Sequence, residues 1–230
     1  MAGRERALIV GAGSGLSAAI ARKCAGEGMD VVLAARDTQK LSALAQETGA
    51  TTIACDASRA EEVDKLFAAV DAGGDRLDLV VYNASGRARG PVSELDPAAV
   101  ESAIRVTAFG GFLVARQAAQ RMLRQGNGTI LFTGASASVK GYPRSSSFAM
   151  GKFALRGLAQ SMARELHPQG IHIGHVVIDG GIRAANRPDP EGRDAMLDPD
   201  SIAACYLALI RQPRDSWSWE IEVRPWVETF

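Results

Sequence analysis

Short hydrophobic runs alternate along this chain with longer stretches in which apolar residues recur every three or four positions. Residues 7–10, 31–34, 51–54, 77–82, 129–133 and 171–177 are apolar or β-branched nearly throughout, as strands buried on both faces are. Residues 16–27, 39–48, 60–70, 98–106, 111–123, 148–167 and 200–210 carry the helical period, and a last strand is expected near 219–223. Strand and helix alternate along almost the whole length. That order predicts an α/β fold, a single doubly wound parallel sheet with helices on both faces. Residues 1–230 read as one domain, with no repeat or low-complexity segment. Only 188–199, with its prolines, charges and a glycine, has the composition of a mobile loop.

Composition narrows the function classes. Lys plus Arg and Asp plus Glu each number 26, so no global field draws nucleic acid or an anionic membrane. Cys24, Cys55 and Cys205 are scattered, which suggests neither a disulfide framework nor a metal site, and a reducing compartment fits them best. His167, His172 and His175 lack metal-ligand spacing; the last two should face opposite sides of a strand and be structural. The N-terminus has no signal-like segment. No apolar run approaches the roughly 18 residues of a membrane span. A soluble cytoplasmic protein with a small-molecule substrate or ligand is expected.

The first strand runs into Gly11-Ala12-Gly13-Ser14-Gly15-Leu16-Ser17 and then a helix. Glycines there let the backbone approach a pyrophosphate, and the helix N-terminus offers free N–H groups and positive dipole charge. The spacing is not G-x-G-x-x-G, because Leu16 fills the last position. It resembles the G-x-x-x-G-x-G turn of the short-chain dehydrogenase/reductase family, matched at Gly11 and Gly15, with Ser17 in place of the third glycine. The resemblance covers nearly the whole chain and implies a Rossmann-like fold. Tyr82-Asn83-Ala84-Ser85-Gly86 is similar to the family's Asn-Asn-Ala-Gly segment, with Tyr82 for the first asparagine and Ser85 for the glycine. Residues 153–161 look like the helix after the family's lysine, and 222–226 resemble a bacterial subgroup of mostly unassigned members.

The resemblance implies a dinucleotide cofactor. Gly11, Gly13, Ser14, Gly15 and Leu16 would surround its pyrophosphate. Asp56 matches the aspartate that contacts adenine, with Ala57 beside it. Asn83, Ala84, Ile182 and Lys152 complete the expected contacts. The second strand ends Ala34-Ala35-Arg36-Asp37, without the carboxylate that would bind the ribose diol of NAD. A guanidinium takes a phosphate bidentately, so Arg36 favours NADP(H) over NAD(H). Asp37 is expected to cap the next helix.

In the family, Asn, Ser, Tyr and Lys work as a set. Lys152 is kept, and it is the one catalytic residue the resemblance assigns. Phe148 stands where the proton-transferring tyrosine would be, and it has no titratable proton. The serine position falls on Ala135, with Ser136 one residue away and Ser138 three. Thr107 replaces the asparagine, Asp179 the proline of a Pro-Gly turn, and Ala184 a threonine. Tyr142, Ser136, Ser138 and Ser147 are candidate replacement hydroxyls. Lys152 beside a water is a candidate acid, with pure cofactor binding favoured for it. Arg87, Arg89, Lys140, Arg144, Arg183 and Arg187 fall in loops on the ligand rim; a solvated surface is favoured there over an acidic substrate. The family usually forms dimers or tetramers through the helices at 111–123 and 148–167, so a homodimer or homotetramer is expected. Three readings remain open: an NADP(H)-binding oxidoreductase with a remodelled site, a non-catalytic sensing or scaffold protein, and a reductase of activated C=C bonds. Lys152 supports the enzyme readings; Thr107, Ala135, Phe148 and Ala184 support the second.

Overall fold

The computed structural model describes residues 4–74, 76–184, 186–189 and 194–228. Strands Arg6–Val10 (β1), Asp30–Ala35 (β2), Thr51–Ala54 (β3), Leu79–Tyr82 (β4), Gly128–Thr133 (β5), Ile171–Ile178 (β6) and Glu220–Val223 (β7) form one sheet. Its order is β3-β2-β1-β4-β5-β6-β7 and every pair is parallel. The chain winds outward to β3, then returns to pair β4 with β1. That reversal opens a crevice beyond the carboxyl ends of β1 and β4.

Alternate strand residues feed two cores, because successive side chains leave a strand on opposite faces. Leu8 and Val10 point into a core shared with helices Ala60–Ala72 (α3), Gly110–Gln125 (α5) and Ser146–Leu166 (α6). Ala7 and Ile9 point into the other, shared with Leu16–Gly26 (α1), Ser42–Thr48 (α2) and Pro199–Ile210 (α7). The fold is the doubly wound, Rossmann-like sheet that the alternation predicts.

One segment departs from the predicted pattern. The helices expected at 98–106 and 111–123 are a single helical run. Pro97–Ile104 (α4) continues through a π-helical turn, Arg105–Phe109, into α5. A π turn releases carbonyls from the regular ladder, and the buried Tyr82 phenol donates to one of them, the carbonyl of Val106. Gly110 makes this approach possible: a Cβ there would lie 2.5 Å from the Tyr82 oxygen. Joined, the run is long and apolar enough to cross a membrane by length and composition alone, although Glu101, Arg105 and Arg116 interrupt it. Its Val114, Ala115, Ala118 and Met122 are buried against the sheet, as in a globular core helix. Of the expected loop at 188–199, residues 190–193 lie outside the described residues. After it, Leu197 bridges back to Ile182 and Asp198 caps α7 by accepting from the Asp200 amide at 2.7 Å.

Candidate functional site

At the end of β1 the chain must turn sharply toward α1. Gly11 makes the turn at φ +82°, and a Cβ on it would stand 2.6 Å from Ala84 Cα. Conformation and space both demand glycine. Gly13 and Gly15 differ, because a Cβ on either would meet no protein atom within 4 Å. The space beside them is open, and no side chain caps α1 at Gly15, so the first N–H groups of that helix are free for an anion. Ser17 locks the turn. Its hydroxyl donates to the Gly11 carbonyl at 3.1 Å and accepts from Asn83 Nδ2 at 2.6 Å. In the sequence Ser17 stands out only as a replaced glycine; its partner lies 66 residues away, and nothing in the local spacing signals the pair.

Two cavities meet at this turn. The first holds about 350 Å³ and is lined by Gly11, Arg36, Asp56, Ala57, Asn83 and Ala84, together with Lys40 and Cys55, which were not anticipated. Arg36 forms no hydrogen bond or ion pair among the described residues. Asp37 accepts from the Gln39 amide at 3.1 Å and pairs with Lys40 at 3.2 Å, but it is not the cap expected of it: the short turn ahead of α2 starts from Thr38 and α2 from Leu41, neither with a side-chain cap. Burial pushes the Asp56 carboxyl up, yet the Ser58 hydroxyl and amide, at 2.7 and 3.0 Å, and the nearby Arg36 and Arg59 hold it below the usual carboxylate range.

The second cavity holds about 430 Å³. Gly11, Gly13, Gly15, Leu16 and Asn83 line one part of it, and Ala135, Phe148, Lys152, Ile182 and Ala184 line the rest. Ser14 is exposed and lines neither cavity. Phe148 and Lys152 lie one helical turn apart on α6 and face the same space. Lys152 is buried, and its Nζ donates to the Thr133 carbonyl at 2.6 Å. Burial, with the Arg87 charge nearby, lowers its pKa to about 7. Amine and ammonium forms therefore coexist near neutral pH, the condition for giving and taking a proton there.

None of the four candidate hydroxyls lines this cavity. Ser147 is buried; it donates to the Ala88 carbonyl at 2.7 Å and accepts from the Ala88 amide at 3.0 Å. Ser138 accepts from the Ala135 amide at 3.1 Å and meets His175 Nε2 at 3.3 Å. His175 Nδ1 lies 3.0 Å from Glu220, which Arg156 holds with bonds of 2.6 and 2.7 Å. Burial pushes His175 down to about 4. The ring is thus neutral, with Nδ1–H donating to Glu220 and Nε2 accepting from Ser138. The order Ser-His-Glu is that of a nucleophile relay, but Ser138 and His175 are fully buried. The chain of bonds holds the Ala135 peptide in the pocket wall. His172 is elsewhere, stacked on Trp217 with centroids 4.7 Å apart. Among the described residues no three His, Cys, Asp or Glu side chains come together.

Two further replacements are structural. The buried Thr107 hydroxyl accepts from the Gly86 amide at 2.9 Å. Asp179 is buried between Lys140 and Arg224, each at 3.0 Å. Of the six basic residues expected on the rim, Arg87, Arg183 and Arg187 line the second cavity, and Arg89, Lys140 and Arg144 do not. Arg183 pairs with Asp198. Arg87 lies 3.6 Å above the centre of the Phe148 ring, a cation–π contact.

The chain was compared with known proteins. Residues 5–188 match the family model described as short chain dehydrogenase. An uncharacterized oxidoreductase of Staphylococcus aureus (strain N315) is 28% identical over 225 residues, 95% of this chain and 96% of its own. The crystal structure of a short-chain dehydrogenase from Rhodopseudomonas palustris is 33% identical with a TM-score of 0.85, over 96% of this chain and 99% of that one. A metagenomic short-chain oxidoreductase in complex with NADP is 31% identical with a TM-score of 0.85, over 96% of this chain and 97% of that one. With its parallel sheet, its glycine turn and a family match over most of its length, this chain belongs to the short-chain dehydrogenase family.

Proposed function

We propose that this chain is an NADP(H)-dependent oxidoreductase acting on a small-molecule carbonyl compound, with a remodelled site in which Lys152 handles the proton. Lys152 carries the reading: a buried amine, fixed by the Thr133 carbonyl, facing an open cavity and titrating at about 7. Phe148 stands in for the family's tyrosine and can donate no proton. The bound dinucleotide would supply or accept the hydride. Gly11, Gly13, Ser14, Gly15 and Leu16 would hold its pyrophosphate, and Asp56 and Ala57 its adenine. Asn83, Ala84, Ile182 and Lys152 would hold the remaining half. Arg36, unpaired in the first cavity, would hold the 2′-phosphate, and the NADP-bound relative supports that preference. In reduction the Lys152 ammonium protonates the substrate oxygen; in oxidation the amine takes that proton back.

Phe109 and Phe112 near the start of α5, and Met150 and Phe153 on α6, are exposed. An apolar face of that kind supports a homodimer or homotetramer in which these helices pack against a second copy. The free thiols of Cys24, Cys55 and Cys205 accord with a reducing, cytoplasmic setting.

The alternative is a protein that binds the dinucleotide without turnover. It is favoured by one observation: no side-chain hydroxyl at Ala135, Phe148 or Ala184 faces the pocket. A spectrophotometric NADPH oxidation screen over carbonyl and enone substrates, with titrations of both cofactors beside it, separates the two. Turnover that Lys152→Met abolishes supports the enzyme. Tight NADPH binding with no turnover on any substrate overturns it.

A further inference from the structure

We infer that the second cavity selects a carbonyl substrate bearing a carboxylate of its own, held by Arg87 with Arg187 beside it. The inference rests on the oxidoreductase reading of the same cavity and adds the class of substrate.

The first observation is how Arg87 is fixed. The loop after β4 is fastened on both sides of it. Thr107 accepts from the amide of Gly86 at 2.9 Å. Ser147 accepts from the amide of Ala88 at 3.0 Å and donates to its carbonyl at 2.7 Å. Both hydroxyls are completely buried. Gly86 lies so close to α4 that a Cβ on it would come 2.6 Å from Ala103 Cα. Two buried polar side chains thus hold the backbone on either side of one arginine, whose guanidinium then rests on the Phe148 ring. Such anchoring is not needed by a side chain left to wander in solvent.

The second observation is charge. Arg87, Lys152, Arg183 and Arg187 line the cavity, and among the described residues no Asp or Glu does. Asp198 neutralises Arg183. Arg87 and Arg187 pair with no carboxylate among the described residues. Arg22, Arg121, Arg156 and Arg211, by contrast, each meet a carboxylate, that of Glu47, Asp71, Glu220 and Glu5. Burial and the like charges of Arg89 and Arg187 act together against the Arg87 cation. A bound anion relieves that repulsion, and a planar guanidinium takes a carboxylate through two parallel bonds.

The third is reach. Arg87 Cζ and Lys152 Nζ lie 3.6 and 5.7 Å from the centre of the same Phe148 ring. One small molecule can put its carbonyl oxygen at Lys152 and its carboxylate at Arg87. The phosphates of the dinucleotide have other partners in the proposed arrangement, at the glycine turn and at Arg36.

The test uses matched pairs: 4-oxobutanoate with butanal, and 4-oxopentanoate with 2-pentanone. The ratio of kcat/KM, acid over neutral, is measured with NADPH for wild type, Arg87→Met and Arg87→Lys, with circular dichroism as the check on folding. Succinate, which cannot be reduced, is titrated into the NADP-loaded protein by calorimetry. Wild type should prefer the acid by roughly tenfold or more, the scale of one charge-assisted bond. Arg87→Met, which keeps an apolar contact over Phe148, should bring the ratio near one, mainly through KM, and should weaken succinate binding. Arg87→Lys should keep part of both. Equal use of acid and neutral partners, or a preference that survives in Arg87→Met, overturns the inference and leaves the oxidoreductase reading standing. Arg87-dependent succinate binding by a protein that reduces neither member of a pair supports the anion site and overturns the oxidoreductase reading. Absence of both turnover and succinate binding overturns the two together.

Discussion

Replacing Lys152 by methionine isolates what it costs this fold to bury an amine. Methionine has similar length and no charge. In the folded protein, burial and Arg87 lower the Lys152 pKa from 10.5 to about 7. The unfolded chain keeps the ordinary value. From pH 7 up to the unfolded pKa, the unfolded state therefore binds a proton that the folded state does not, so wild-type stability rises with pH across that window. The slope approaches ~1.4 kcal/mol per pH unit, and the integrated effect is of order 5 kcal/mol. Below pH 7 both states carry the proton, the slope vanishes, and the fold bears the full cost of a buried ammonium. The variant lacks this component. It also loses the bond to the Thr133 carbonyl, which both forms of the amine can make, an offset of about 1–3 kcal/mol. Arg87 and His175 are the ionisable groups acting on Lys152. Arg87 stays charged and His175, pushed down to about 4, stays neutral across the window, so neither adds slope. Urea unfolding of the cofactor-free protein, followed by circular dichroism from about pH 6 to 9, gives both profiles. The stability of the variant relative to wild type should be greatest at low pH and fall by roughly 1 kcal/mol per unit above pH 7. Parallel profiles would show that Lys152 keeps an ordinary pKa, and the acid–base role proposed for it would go with them.

Arg36→Ala should weaken NADP(H) binding by roughly tenfold or more and move NAD(H) little; a wild type that binds both equally removes the assignment. Gly15→Val should abolish nucleotide binding while leaving the far-ultraviolet circular dichroism largely intact, because no protein atom lies within 4 Å of its Cβ. Gly11→Ala should instead destabilise the fold by about 1–3 kcal/mol or more, since its φ is +82° and Ala84 fills the space; an unchanged midpoint would contradict the turn geometry. Ala135→Ser with Phe148→Tyr should create or raise NADPH-dependent reduction of simple aldehydes, on the scale of 10²–10⁴ that general acid catalysis contributes, roughly. The new phenol would have Arg87 and Lys152 beside it, and both cations favour its ionised form.

The sheet was legible in the sequence because strands buried on both faces are continuously apolar, and the turn at Gly11 because only glycine fits there. Gly11, Arg36, Asp56, Asn83 and Ala84 of the first cavity lie at or just past strand ends and were reachable by counting, whereas Lys40 and Cys55 were not anticipated. What spacing alone could not give were the pairings between distant segments. The two helices predicted at 98–106 and 111–123 merge because Tyr82, on a strand, donates to a carbonyl of the π turn. Ser138 reads as a spare hydroxyl until β6 brings His175 against it. Of six basic loop residues, three line the pocket and three do not, and pairing does not sort them: Lys140, outside the pocket, meets Asp179, and Arg183, inside it, meets Asp198.

The departures from the family's motif share one property that bears on whether the pocket is rebuilt or merely eroded. Thr107 binds the Gly86 amide. Tyr82 binds the Val106 carbonyl. Ser17 joins Gly11 to Asn83, and Asp179 is neutralised by two cations. Ala135 is held through its amide by a serine that is itself held by a histidine. Substitution without selection on the site leaves buried polar groups short of partners, and each such group costs about 1–3 kcal/mol. Here each of these groups has a partner, and several of those partners converge on the two loops that carry Arg87 and Ala135. Phe148 fits the same pattern, since the ring that gives up a proton donor becomes the platform for a guanidinium. A pocket held in this way, with a buried amine at its base and two arginines that meet no carboxylate among the described residues, supports the proposal that the proton is handled at Lys152.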